Sequence, residues 1–529
     1  MSDRNGFKIV QDSIGTDFLN YVGLIGRGGG FGYKVSSAGD VNGDGYDDVI
    51  VGSNGYPKVF IYFGGVILDS IADVVLSETS GYSGGFGSSV SGAGDLNGDG
   101  FDDVIIGKSQ YTYNHGRAYI YFGSSNMDNI ADLILEVNDP YGSAAFGSSL
   151  SSVGDVNGDG FPDVIVGDNN YNGLYGRAYI YYGGIIMNNI PDVILDKSNS
   201  YIYFASSVSG AGDLNGDGYD DVIISADPTS SIGFGVALIY YGAQNMSNYE
   251  RLKFTCSSNS CSSVSSAGDV NGDGYDDVII GESRNSNNTG KANILFGGVN
   301  MDNISDLALY GEHINAYFGN SVSKAGDLNN DGYDDLIVGS YKYNGAGKVY
   351  IYYGGIIMNN NPGLTLNSES SESYFGRCVS NAGDVNNDGY DDIIIGADGY
   401  DAGKGKAYVY FNSILINPQN NSSFNPQTIN FKWKKVNSAV SYILQISADS
   451  TFNSMFVNDT ITIDTFKTVS GFQKESKYFW RVITNDTLSS HYYSAVWNFR
   501  TIPPLKLNLK ALMEEFIIPY LISCPGEIQ

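Results

Sequence analysis

An acidic loop of one pattern, Asp-x-Asn-x-Asp-Gly-x-x-Asp, recurs seven times along the chain, first as "DVNGDGYDD" at residues 40–48. The copies begin at Asp40, Asp95, Asp155, Asp213, Asp269, Asp327 and Asp384, always 55 to 60 residues apart. So constant a period marks a repeat architecture, in which each unit buries its apolar faces against its neighbours. The second unit shows the internal grammar: "FGSSVSGAGD" (86–95) is a small-residue strand entering the loop and "DDVIIG" (102–107) a β-branched strand leaving it. A turn-rich "SQYTYNHG" (109–116), an aromatic strand "RAYIYFG" (117–123) and a fourth strand "ADLILEV" (131–137) follow. Four short strands per unit, seven times, predict an all-β fold, a seven-bladed β-propeller. Small side chains in "SSVSGAG" suit the innermost strand, where blades crowd the axis.

The loop spacing also predicts a metal site. Positions 1, 3 and 5 turn oxygens inward, glycine at 6 permits the sharp bend, and position 7 offers its carbonyl. The ligand sets are Asp40, Asn42, Asp44, Tyr46 and Asp48; Asp95, Asn97, Asp99, Phe101 and Asp103; Asp155, Asn157, Asp159, Phe161 and Asp163; and Asp213, Asn215, Asp217, Tyr219 and Asp221. The remaining three are Asp269, Asn271, Asp273, Tyr275 and Asp277; Asp327, Asn329, Asp331, Tyr333 and Asp335; and Asp384, Asn386, Asp388, Tyr390 and Asp392. All-oxygen donors select a hard cation, and a flexible loop of five or more favours Ca²⁺, up to seven ions, over Mg²⁺. Position 12, Val51 in the first copy, lies inside a strand where a helical EF-hand needs Glu, so the helical loop is ruled out. The competing reading is that Asp, Asn and Gly only make good turns.

A formal charge of −29 argues against nucleic acid as a partner, because that needs a basic footprint. With 42% hydrophobic residues the chain is not a disordered acidic one, and no apolar run of about 18 residues inserts into a membrane.

Phe-Gly pairs stand before the small strand at Phe31-Gly32, Phe86-Gly87, Phe146-Gly147, Phe318-Gly319 and Phe375-Gly376. Together with the acidic loop and the "VIVG" or "IIG" strand they resemble FG-GAP repeats, which build the propeller of integrin alpha chains and of many bacterial surface proteins. The resemblance implies calcium loops on one face and ligand recognition on the other. Two units depart from it, with Phe204-Ala205 and Ser260-Cys261, which puts the packing at those junctions in question.

The seventh unit changes composition after "KAYVYFN" (406–412) and lacks a fourth strand, whereas "NGFKIVQDS" (5–13) has no unit of its own. Residues 5–13 are therefore expected to supply the outer strand of blade seven, completing a propeller over 1–412. Residues 413–503 resemble a fibronectin type III-like β-sandwich, with Trp433 and Trp480 as core residues and 417–426 as the linker. Residues 504–529 form a tail, read as a short helix or the stub of a truncated domain.

The loops of the face opposite the acidic copies are rich in Tyr, Asn and Gly, a mixture that gives wide contact area at low entropy cost. Tyr56, Tyr111, Tyr113, Tyr171, Tyr175, Tyr341, Tyr343 and Tyr400 are the candidate contacts for a protein or glycan ligand. The alternative is that they pack blade against blade. Three histidines, His115, His313 and His491, make no catalytic order, so the expected function is non-catalytic recognition. A carbohydrate-active enzyme or a structural spacer in a larger surface protein are the alternatives. Weak calcium loops suit millimolar external calcium, which places the protein outside the cell or on its surface. Cys256 and Cys261 are either a disulfide across their loop or two reduced thiols.

Overall fold

The computed structural model describes residues 8–11, 18–26, 29–65, 68–78, 85–111, 115–137, 145–173, 175–197, 201–228, 233–258, 261–412, 415–418, 422–433, 441–485, 491–494 and 497–501. The tail expected over 504–529 lies outside them. Two compact units divide near Ile414 and Leu415.

The first unit is a succession of antiparallel sheets; in the first six, four strands run outward in chain order, and in the fourth a short extra strand, Tyr201–Ile202, pairs with the second. Sheet one joins Phe31–Gly39, Asp48–Ser53, Lys58–Tyr62 and Val74–Ser77. Sheets two to six repeat the order from innermost strands Phe86–Gly94, Phe146–Gly154, Val208–Gly212, Ser263–Gly268 and Val322–Gly326. The seventh places Val379–Gly383, Asp392–Ala397 and Lys406–Asn412 side by side. In every unit the acidic loop joins the first strand to the second.

The N-terminal strand next to Lys406–Asn412 is Phe18–Leu24, in register Leu19 to Asn412 through Leu24 to Ala407. Lys8–Gln11, inside the expected segment 5–13, pairs with Phe18–Leu24 as a fifth, outermost strand. The location of the added strand thus moves along the chain by about ten residues. The physical reason is the apolar content of "FLNYVGL", whose Tyr21, Val22 and Leu24 are buried. Hydrogen bonds join the seventh sheet to the first: Gly30 N–H donates to Gly403 O at 2.7 Å and Asn387 Nδ2 to Gly45 O at 2.9 Å.

Packing between sheets explains the repeated residues. The Phe of Phe-Gly sets its ring edge-to-face on a third-strand aromatic of its own sheet. Examples are Phe86 on Tyr119 at 5.5 Å, Phe146 on Tyr179 at 5.5 Å and Phe318 on Tyr350 at 5.1 Å. Its glycine is left-handed and touches backbone: Gly147 has φ +80°, and a β-carbon there would stand 2.5 Å from Arg117 O. Ala205 accepts the same left-handed region at φ +65°, beside a buried Phe204. In the fifth unit Cys261 is bonded to Cys256, both buried, and this disulfide fills the junction that Phe-Gly fills elsewhere. The third-strand aromatic is also replaced there, by buried Asn293, which donates to Glu282 Oε1 at 2.7 Å.

The second unit is a β-sandwich. One sheet holds Leu415–Asn417, Thr428–Trp433 and Phe466–Ser470, and the other is built on Ser441–Ser447, Lys477–Asn485 and Trp497–Thr501. Trp433, Trp480 and Trp497 are all buried between them. Part of the stretch expected as linker, 417–426, enters these sheets, since Ser422–Asn425 pairs in parallel with Trp497–Thr501.

Candidate metal centre

Each acidic loop is wound around its first aspartate. In the first copy the Asp40 carboxylate accepts N–H bonds from Gly43 at 2.7 Å, Asp44 at 3.0 Å and Gly45 at 2.8 Å. Asn42 Oδ1 accepts from Asp44 N at 2.8 Å, and Asp44 Oδ1 from Tyr46 N at 3.1 Å. The bonds to the first aspartate recur around Asp95, Asp155, Asp213 and Asp269. Asp327 and Asp384 keep those from positions 5 and 6. These turns put positions 1, 3 and 5 in one small loop, half-buried to exposed in the first copy and with Asn386 and Asp388 buried in the seventh.

Position 9 behaves differently. Asp48 is buried and staples two segments: Val41 N–H donates to Oδ2 at 3.0 Å, and Gly64 N–H, from the loop between third and fourth strands, donates to Oδ1 at 2.7 Å. Asp103, Asp163, Asp221, Asp277 and Asp335 make both bonds in their own units. Burial is the largest influence on these carboxyls and outweighs the bonds that favour ionisation. It pushes Asp48, Asp277 and Asp335 up to about 8, and Asp103, Asp163 and Asp221 up to about 7. Asp384, at position 1 of the seventh loop, is pushed up to about 6 for the same first reason.

The donor chemistry fits a hard cation, and one atom points to it directly. Asn386 Oδ1 is buried without a hydrogen-bond partner among the described residues, an acceptor that an ion would complement. The side chains do not converge on a common point, for among the described residues no three acidic, His or Cys groups stand as a metal-holding cluster. Position 9 is the reason: its two oxygens are turned to backbone amides rather than to positions 1 and 5.

The aspartate at position 8 has a role that the spacing pattern does not assign. Asp102 of unit two reaches back and accepts Asp40 N–H at Oδ2, 2.9 Å away. Asp220 latches Asp155 at 2.8 Å, Asp276 latches Asp213 at 3.0 Å, Asp334 latches Asp269 at 3.0 Å and Asp391 latches Asp327 at 2.9 Å. Asp47 latches Asp384 at 2.7 Å, across the seam between last unit and first. Only the contact between units two and three lacks the latch, because position 8 there is Pro162. The Gly before each latched loop makes room for this carboxylate: at Gly39, φ +72°, a β-carbon would lie 2.2 Å from Asp102 Oδ2. The doubled acid of "YDD" was the available signal.

At the other end of the strands the tyrosine candidates divide into two groups. Tyr171 lies under the Arg177 guanidinium at 3.8 Å, Tyr343 under Lys348 at 4.8 Å, Tyr400 under Lys406 at 5.2 Å and Tyr56 under Lys58 at 5.3 Å. Each stacks on the basic residue opening its own third strand, a packing role, and Tyr56 remains exposed. Tyr341 instead joins Tyr317 and Tyr374 in a separate cluster, with centroids 5.5 and 5.9 Å away. Tyr175 is half-buried, while Tyr113 and the Tyr111 side chain lie outside the described residues.

The signature of the FG-GAP repeat matches residues 31–67, 86–121, 318–352 and 375–410, and that of the FG-GAP-like repeat matches 155–224 and 213–280. Integrin alpha-5 of Xenopus laevis is 32% identical over 235 residues, which cover 40% of this chain and 21% of the relative. Integrin alpha-2 of Bos taurus is 33% identical over 181 residues, covering 31% and 15%. The chain thus spans about a fifth or less of these curated relatives. A solved Fn3-like protein from Clostridium thermocellum aligns with 17% of this chain at 19% identity and a TM-score of 0.14, too low to bear on the fold. Matched segments covering just over half of the chain, on units that share one strand order and one loop, place it in a family: the chain belongs to the FG-GAP repeat family and is integrin alpha-like.

Proposed function

We propose that the chain is a calcium-binding, non-catalytic recognition protein of the cell exterior, binding a protein or glycan ligand with the face opposite its acidic loops. The observation that carries the reading is the separation of two kinds of surface onto opposite ends of the same strands. One end holds the acidic loops with the same oxygen donors in every unit. The other holds variable, Tyr-rich connections with left-handed residues such as Asn172, Asn344 and Asp401. Repeated residues serve what every unit needs, and variable ones serve a particular ligand.

Asp40, Asn42, Asp44 and the Tyr46 carbonyl would hold an ion in the first unit, with the matching residues elsewhere, and Asp48 would join if its staple bonds rearranged. Bound calcium supplies the positive charge that the clustered carboxylates lack. The amides of residues 43–45 hold the Asp40 carboxylate within the loop, and the other donors would turn toward the ion on binding. The disulfide Cys256–Cys261 supports an oxidising location, as does the integrin alpha likeness.

Calorimetric titration of chelator-treated protein with calcium tests the metal half. Heat saturating at several ions per chain, and reduced stepwise by Asp44→Ala and Asp99→Ala, supports it; no calcium-dependent heat overturns it. A screen that scores glycan binding and glycan cleavage side by side tests the second half, because cleavage would overturn a non-catalytic role.

A further inference from the structure

On the face opposite the acidic loops the departures from the repeat converge in one sector, made by units six, seven and one. The residue after the Phe-Gly position is serine in units two to five: Ser88, Ser148, Ser206 and Ser262. Each is hydrogen-bonded to its own second strand or the residue that follows it, as in Ser206 Oγ to Ser225 Oγ at 2.9 Å. In units six, seven and one the position holds Asn320, Arg377 and Tyr33. Six residues after the aspartate that opens the second strand stand Asn54, Ser109, Asn169, Asp227 and Ser283 in units one to five, Tyr341 in unit six and Asp398 in unit seven, so Tyr341 is the aromatic one of the series. The residue before Phe is Gly30, Gly85 and Ala145 in the first three units, but Tyr203, Tyr317 and Tyr374 in units four, six and seven. Since serine and glycine satisfy the fold at these places, the fold does not require the bulky set.

These substitutions meet in space. The Arg377 guanidinium stands 5.1 Å from the Tyr33 ring, 5.5 Å from Tyr341 and 5.9 Å from Tyr374. Lys342, exposed, stands 5.0 Å from the Tyr317 ring and 5.4 Å from Tyr341. Asp398 is the ion-pair partner of Arg377 at 3.7 Å, beyond hydrogen-bond distance, and its Oδ1 is buried without a hydrogen-bond partner among the described residues. Tyr317 at φ +57° and Tyr374 at φ +54° are held in the left-handed region, as Tyr203 is at φ +50° in unit four, so this backbone goes with the Tyr-Phe pair itself. All four tyrosines are half-buried, leaving part of each side chain open to solvent.

We propose that this cluster is a binding subsite for a saccharide that carries an anionic group, with Tyr341 and Tyr374 as ring platforms and Arg377 and Lys342 as the countercharge. The inference rests on the recognition-face reading and gives it a location and a ligand class. A sugar ring alternates C–H faces with hydroxyls. The cluster likewise alternates phenol rings with a guanidinium, an ammonium and a carboxylate. Anionic character follows from the two cations concentrated here on a chain of net charge −29. That net charge also repels polyanions elsewhere, so non-specific binding is suppressed.

The test is affinity electrophoresis of the full chain in native gels containing dextran, dextran sulfate or polygalacturonate. The wild type should be retarded by one or both charged polymers and little by dextran, the two charged arms separating sulfate from carboxylate recognition. The double variant Arg377→Ala, Tyr341→Ala should weaken binding about tenfold or more with an unchanged melting temperature. If it misfolds, Arg377→Gln with Tyr341→Phe keeps the packing and should weaken binding as well. Equal retardation by charged and neutral polymers, no retardation by any of them, or undiminished binding by the folded variants overturns the inference. Binding lost with Tyr56→Ala, Tyr175→Ala but kept by the cluster variants overturns it while leaving the recognition face standing.

Discussion

Replacing Asp47 by Ala removes the carboxylate that joins the loop of the last unit to the first, at a seam no peptide bond reinforces. Asp47 Oδ2 accepts Asp384 N–H at 2.7 Å, and burial raises its carboxyl above the ordinary range, so part of the bond's value is offset by desolvation. A hydrogen bond to a charged group contributes about 1.5–3 kcal/mol and a neutral one about 1 kcal/mol. The expected cost of Asp47→Ala is therefore about 2 kcal/mol, including the orphaned Asp384 amide. Asp47→Asn keeps an acceptor oxygen without the charge, and should cost less than half as much. Asp102→Ala breaks an equivalent bond of 2.9 Å inside the array, where the chain itself joins the sheets. It should lower stability comparably while leaving the seam shut. The assay is scanning calorimetry in chelator, which removes any metal contribution, with amide exchange at residues 384–390 reporting seam opening. Exchange should rise only for Asp47→Ala. If Asp47→Ala melts with the wild type the latch contributes nothing, and if Asn costs as much as Ala the acceptor oxygen alone does not hold the seam; either result refutes the reasoning.

Four further outcomes are expected. The raised carboxyls of Asp48, Asp103, Asp163, Asp221, Asp277 and Asp335 reach about 7 to 8, above the unfolded value near 3.8. The folded state then binds more protons than the unfolded, so metal-free stability should fall as pH rises from about 4 to 8. Melts across that range with chelator should show the slope, and calcium should flatten it. Deleting residues 1–24 strips Tyr21, Val22 and Leu24 from the seventh sheet and should cost about 5 kcal/mol, whereas deleting 1–13 should cost far less, as denaturant titrations would show. Gly147→Ala, at φ +80° and 2.5 Å from a carbonyl oxygen, should destabilise by about 2 kcal/mol or more, and Ala205→Gly by none, measured in the same titrations. Reducing Cys256–Cys261 opens a link between residues five apart and should cost about 2 kcal/mol, with both thiols resisting alkylation in mass spectra until reductant is added.

What the residues disclosed, and what they withheld, follows from the range over which each interaction acts. Strand order and loop position were legible because each unit repeats a local grammar of small, acidic, β-branched and aromatic segments, and seven copies average out local ambiguity. The added strand was misplaced because "KIVQ" and "FLNYVGL" both read as strands. Only the depth of burial of Tyr21, Val22 and Leu24 selects the second as neighbour of Lys406–Asn412. Residues eight and nine of the loop illustrate the same limit more sharply. Within one loop they are adjacent carboxylates, and ligand spacing marks the ninth as the metal residue. In three dimensions strand alternation sends them to different places. Asp48 enters the second strand and is buried against Gly64 of its own unit, while Asp47 faces the neighbouring unit and holds Asp384. A contact between residues 337 apart leaves no trace in a spacing rule, but it does leave one in the repeat: the doubled acid is kept in six copies and becomes Pro162 in the third. Restoring the acid is therefore a direct check on the whole derivation. Pro162→Asp should place a carboxylate near Asp95 N–H and raise stability by about 1 kcal/mol, the net worth of one such bond after desolvation. A neutral or destabilising result would mean that the proline, wedged 3.0 Å from where a Gly94 β-carbon would be, already seals that junction by packing.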